Sequence, residues 1–162
     1  MNYSPKQELK KTYFLSLCFM IPGAVIFSMA STAPFTVIMQ AAGLTLCSLG
    51  IFVMYRYALT SFHFKVEDGE LTVHKISGKR INAVARVALS ECESLVKMEG
   101  DTLKGKKYPG GKYKYTVNYA PESEYLLTFR DGENTVALIL ECEQSVVAAL
   151  SSLMPENSEI KL

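Results

Sequence analysis

The chain has 162 residues, of which 49% are hydrophobic and 20% charged, and its net charge is +1 at neutral pH. That length and balance fit one ordinary domain, and the near-zero charge excludes a protein that binds nucleic acid by covering phosphates with cations. Where the apolar residues lie changes this picture.

From Thr12 to Tyr55 no charged side chain occurs, with Lys10 and Lys11 before the run and Arg56 after it. A bilayer core about 30 Å thick takes roughly 20 helical residues to cross, so the run is long enough for two crossings and a short connection. It predicts a transmembrane hairpin over residues 12–59, with helices at about 12–30 and 35–58, after an N-terminal segment 1–11. Neither helix has the charged stripe that a water-soluble helix pair keeps. A cleavable signal peptide is the rival reading, since Ser28-Met29-Ala30 has the small-x-small form of a cleavage site. Cleavage would still leave the second helix as an anchor. Lys6, Lys10, Lys11, Arg56 and Lys65 flank the outer ends of the hairpin and the Ser31 to Thr36 connection is uncharged. The positive-inside rule then predicts a multi-pass inner-membrane protein with both termini cytoplasmic.

Ser16, Gly23 and Ala30 recur every seventh position, and Gly43, Cys47 and Gly50 make a comparable stripe. Small residues in register predict close packing of the two helices. Pro22 predicts a kink that neighbouring groups compensate. Gln40 is the strongly polar side chain of the spans and is read as interfacial or bonded between helices. Cys18, Cys47, Cys92 and Cys142 form no C-x-x-C pair and have no histidine at metal spacing, so neither a disulfide nor a metal site is expected.

At Thr60 the period changes to two. Phe62, Phe64 and Val66 alternate with polar residues, and Asp68-Gly69 supplies a tight turn before Leu71 and Val73 resume the pattern, a hairpin over Thr60 to Ile76. A third strand is expected from Arg80 to Leu89, with Ile81, Ala83, Ala85 and Val87 on one face, and a fourth from Ser94 to Glu99. Gly100 to Gly111 is rich in glycine and lysine and reads as loop. Tyr113, Tyr115, Val117 and Tyr119 mark a fifth strand, Tyr125, Leu127 and Phe129 a sixth, and Thr135 to Leu140 a seventh after the Asp131-Gly132 turn. Glu143 to Met154 has helical spacing, with Val146, Leu150, Leu153 and Met154 on one face, and Pro155 stops it. The expected fold is a membrane-anchored α+β chain: two transmembrane helices, then a seven-stranded β-barrel or sandwich over residues 60–155, capped at an open end by the C-terminal helix, with 156–162 as a tail.

Seven short strands, a loop-rich gap after the fourth and one final helix resemble the pleckstrin-homology (PH) superfold. With a helical hairpin in front, the chain resembles the bacterial PH-like membrane proteins, including the group described as similar to YcxB. The resemblance rests on Val66-Glu67-Asp68-Gly69-Glu70-Leu71-Thr72-Val73, on Val87 to Leu95 and on the passage Ile139 to Leu153. It implies a scaffold that binds peptide, protein or lipid surfaces. In eukaryotic members of the fold the headgroup site lies in a long basic loop between the first two strands, whereas Glu67-Asp68-Gly69-Glu70 is short and acidic. Three carboxylates would repel a phosphorylated headgroup, so that role is not carried over.

The candidate contact surface is the basic stretch Lys104, Lys106, Lys107, Tyr108, Lys112, Tyr113 and Lys114. Near an anionic leaflet each lysine is worth about 1 kcal/mol, and tyrosine suits the headgroup level, so docking on membrane lipid or on a membrane-protein partner is expected. A solvated loop is the bland alternative. One short cluster offers too few phosphate contacts for nucleic acid. His63 and His74 could pair across strands, yet no nucleophile or phosphate loop accompanies them, so no enzyme, catalytic residue or cofactor is expected. Two functions follow: a non-enzymatic membrane-anchored binding module, or an accessory subunit acting through its helical hairpin.

Overall fold

The computed structural model describes residues 1–32, 35–99 and 107–161. It divides into a helical unit, Gln7–Thr60, and a β-rich unit made of Met1–Lys6 together with Ser61–Leu162.

In the helical unit, α1 spans Leu9–Met29 and α2 spans Thr36–Tyr57. The two run side by side because their small residues meet. Ser16, Gly23 and Ala30 of the first stripe are buried, as are Gly43 and Gly50 of the second. A β-carbon placed on Gly43 would stand 2.7 Å from the carbonyl oxygen of Gly23, and one on Gly50 would stand 2.9 Å from the carbonyl oxygen of Ser16. Backbones this close exclude any side chain, which is what a glycine-lined helix crossing requires. Ser16 Oγ donates to the carbonyl of Gly50 at 2.8 Å, tying one helix to the other by a polar contact. α1 continues through Pro22. At the end of α2, Thr60 Oγ1 donates to the carbonyl of Tyr55 at 3.1 Å and so occupies one of the acceptors a helix end leaves open.

Of the barrel or sandwich expected from the strand pattern, the β-rich unit holds two sheets among the described residues and not a closed barrel. The first has the order β1 (Asn2–Tyr3), β2 (Thr60–Glu67), β3 (Glu70–Ser77), β4 (Arg80–Ala88). In the second, β6 (Lys112–Tyr115) and β8 (Asn134–Glu141) lie to one side of β7 (Glu124–Asp131), with β5 (Cys92–Lys97) and β9 (Glu159–Lys161) to the other. The Asp68-Gly69 turn has positive φ at both residues, 52° and 76°, as a primed two-residue hairpin needs. Inward faces of both sheets join one core that includes Phe64, Leu71, Val73, Leu95, Val117, Leu127, Leu138 and Leu140. Burying each such side chain contributes about 1.5–3 kcal/mol. Helix α3 (Gln144–Leu153) adds Val146, Val147 and Leu150 to the same core.

Several elements depart from the sequence pattern. Residues at both ends of the chain, expected as an N-terminal segment and a tail, carry strands: β1 pairs antiparallel with β2, Tyr3 opposite Phe64, and β9 pairs parallel with β5. β6 is also parallel to its neighbour β8, and it stops at Tyr115, so Val117 is fully buried while Tyr119 is 65% exposed. On α3, Leu153 is exposed instead of sharing the buried stripe. In β4 the register shifts by one residue opposite Val73 and His74. A one-residue bulge exchanges the faces of everything beyond it. Ala85 and Val87 therefore face the core, and Ile81, expected beside them, is 65% exposed.

Candidate functional site

The basic stretch is held against the second sheet at its C-terminal half. Lys104 and Lys106 lie outside the described residues. From Lys107 on, the chain approaches the edge of β8. Gly110 N donates to the carbonyl of Thr135 at 3.0 Å, and Ala137 N donates to the carbonyl of Gly111 at 3.0 Å. Gly110 is required for this approach, since a β-carbon there would meet Val136 Cγ2 at 2.5 Å. Gly111 has φ of +101°, a backbone conformation that disfavours any side chain.

Tyr108 packs on a second, smaller apolar cluster formed by Leu126, Ala137 and Ile139, with Met98 alongside. Burial raises the pKa of its phenol, and the buried hydroxyl has no hydrogen-bond partner among the described residues. Tyr108 is thus an apolar anchor for the segment rather than a displayed ring.

The register of β6 against β8 separates the lysines from the tyrosines. Lys112 and Lys114 pair with Ala137 and Ile139, residues of the small outer cluster, while Tyr113 and Tyr115 pair with Leu138 and Leu140, residues of the main core. Paired residues of parallel strands share a face, so lysines and tyrosines point to opposite sides of the sheet. Lys114 forms an ion pair with Glu124 at 2.7 Å. Tyr113 is 49% exposed and stacks on Tyr115, centroids 6.5 Å apart, and Tyr115 meets Phe62 edge-on at 5.4 Å. Tyr115 also donates its hydroxyl to the carbonyl of Val84 at 3.4 Å, which links the edge of the second sheet to the edge of the first. Burial, with the neighbouring Tyr113, raises the Tyr115 pKa.

Elsewhere, His63 Nδ1 lies 2.7 Å from Ser4 Oγ, a contact between β2 and the N-terminal segment. His74 lines a shallow polar groove with Thr72, Arg86, Glu67 and Lys65. The hydrogen bond and charge of Lys65 hold the Glu67 carboxyl below its usual range. Burial pushes the thiols of Cys92 and Cys142 up to about 12, so neither is a nucleophile near neutral pH. The exposed β3–β4 end, with its lysines and arginines, escaped the sequence reading. Its signal was an acid-free run from Leu71 to Ser90.

Neither a curated protein nor a solved structure matches the chain. A family described as a bacterial PH-like domain, DUF6106, matches residues 5–159, which takes in both apolar helices and the strands from β2 to β8. PH-like domains are generally non-catalytic, and the family suggests a binding module. Two sheets around one core with a C-terminal helix packed into it, joined to a helical pair and matched over nearly the whole chain, lead to one conclusion: this protein belongs to the bacterial PH-like domain family DUF6106.

Proposed function

We propose that this protein is a non-catalytic binding module anchored in the inner membrane by α1 and α2, whose β-rich unit faces the cytoplasm. There the segment from Lys107 to Lys114, extended by Lys104 and Lys106, contacts a membrane-protein partner or the anionic leaflet. The observation that carries the anchoring is the inside-out composition of the helix pair. Its buried positions are small, Ser16, Gly23, Gly43 and Gly50, while Phe14 is 71%, Val37 78%, Ile38 68% and Phe52 61% exposed. In water that arrangement would leave two full-length apolar helices solvated, and in lipid it costs nothing. Because residues 1–6 and 61–162 form one unit, the two flanks of the helix pair belong on the same side of a membrane.

The test of anchoring is extraction of membranes carrying the full-length chain at alkaline pH, followed by protease on intact spheroplasts. Retention in the pellet with the β-rich unit protected supports the reading. Release into the supernatant, or digestion from outside, removes it. For the contact surface, hydrogen exchange of the full-length protein in nanodiscs separates the two targets. Protection of residues 107–115 that requires anionic lipid identifies the leaflet, and unchanged exchange leaves the membrane-protein partner.

A further inference from the structure

Beyond its base the β3–β4 hairpin contributes no fully buried residue. Leu71, Val73 and Val87 are buried, yet no residue from His74 to Arg86 is. This outer ribbon is open on one side alone, since β2 is hydrogen-bonded alongside β3 while β4 is the edge of the sheet. Its composition is unusual for a solvated tip. Ile76 and Ile81 are directly opposed across the ladder, and Ile81 is 65% exposed. Beside them, Val84 at the bulge is 38% exposed. On the other face Lys75 is opposite Asn82 and Arg80 is opposite Ser77, with Lys79 in the turn. No acidic residue occurs between Glu70 and Glu91, although acids are frequent in the rest of the unit. Arg86, at the base, is directed to Glu70 at 3.8 Å.

An apolar cross-strand pair on one face, with cations on the opposite face and in the turn at the tip, is complementary to a surface that is anionic outside and apolar just beneath when the tip meets it end-on, and such a surface is the interface of an anionic bilayer. An acidic protein would satisfy the cations but not the isoleucines. We propose that the ribbon from His74 to Val84 is a membrane-contacting element distinct from the lysine-tyrosine segment: Ile76 and Ile81 enter the interfacial layer while Lys75, Lys79 and Arg80 meet lipid phosphates. The bulge that turns Ile81 outward is what brings it to the same face as Ile76. This inference rests on the reading of the chain as a membrane protein, since the anchor is what keeps the ribbon near lipid.

The chain contains no tryptophan, so Ile81→Trp introduces a single tryptophan, excited apart from the tyrosines at wavelengths beyond their absorption, at the point of contact. The full-length variant is placed in nanodiscs of zwitterionic lipid alone or with anionic lipid, including discs with brominated chains. A blue-shifted emission quenched by brominated lipid in the anionic discs is expected. The shift should be lost when Lys75→Glu, Lys79→Glu and Arg80→Glu are added, and reduced at high salt. Ile76→Trp is the second probe if Ile81→Trp alters the circular dichroism, and Glu133→Trp, in the turn after β7, is the control that should remain unquenched. Emission of an exposed, unquenched tryptophan at both positions in properly loaded anionic discs overturns the ribbon's role and leaves the anchoring intact. Failure of the wild-type chain to enter discs at all overturns the anchoring, and the ribbon's role with it.

Discussion

Glu141, at the end of β8, holds Asn118 by both its backbone and its side chain. The carboxylate accepts from the amides of Val117 at 2.8 Å and Asn118 at 3.1 Å and from Asn118 Nδ2, which also donates to the carbonyl of Lys6 at 2.9 Å. One buried acid thus fastens the chain after β6 and, through Asn118, the segment that follows β1.

Removing that acid should be costly. Glu141→Ala removes the carboxylate that accepts from two buried amides, at roughly 1–3 kcal/mol for each hydrogen bond lost, whereas Asn118→Ala removes the link to Lys6 and should cost less. Denaturant unfolding in detergent, followed by far-UV circular dichroism, measures both. A Glu141→Ala variant as stable as wild type would show that the network is dispensable.

The helix pair makes a steric prediction. Gly43→Val would drive a side chain into the backbone of α1, where the nearest atoms to a β-carbon are Gly23 O at 2.7 Å and Phe27 N at 2.8 Å. Overpacking of this kind costs typically about 1–3 kcal/mol. Thr45, exposed and donating its hydroxyl to the carbonyl of Ala41, should accept valine with little change. Thermal unfolding of the two variants in the same detergent should separate them by several degrees, and equal midpoints would contradict the packing.

At β8, Gly110→Ala should detach the Tyr108 anchor, because its methyl group would overlap Val136 Cγ2. Loss of the Thr135 hydrogen bond and of the burial of Tyr108 should make residues 107–111 accessible to limited proteolysis. Gly132, which has open space around it, is less sensitive to added volume although its φ of +62° favours asparagine over alanine. Cleavage no faster in Gly110→Ala than in wild type would count against the anchored segment.

Stability should fall at alkaline pH. Burial raises Cys92, Cys142 and Tyr3 each to about 12, so the folded chain keeps these protons above the pH at which the unfolded chain releases them. Their contribution is complete below about pH 9 and declines as pH rises from there toward 12. Cys92→Ala with Cys142→Ala should flatten the thiol part of the decline. By the same physics, neither thiol should react with iodoacetamide at pH 8 until the chain is denatured, and rapid native labelling at either site would contradict it.

The order of elements in the β-rich unit was legible because it is written in local patterns. Alternation from Phe62 to Val66, the Asp68-Gly69 and Asp131-Gly132 turns and the helical spacing after Glu143 each depend on neighbours a few residues away. The basic segment was legible as a composition but not as a surface. Its separation of lysines from tyrosines depends on β6 lying parallel to β8, a pairing between residues distant in sequence.

Hydropathy and period are properties of consecutive residues, so the contrast between an uncharged stretch long enough for two helices and a body of alternating strands can be read along the chain. Long-range packing is what brings Asn2–Tyr3 and Glu159–Lys161 to complete the two sheets, turns Ile81 toward solvent through a bulge opposite Val73, and sets Glu141 against residues 117 and 118. Strand edges can accept any backbone, so which segment fills them is chosen by the packing of the whole unit and leaves no mark in the pattern of any one strand.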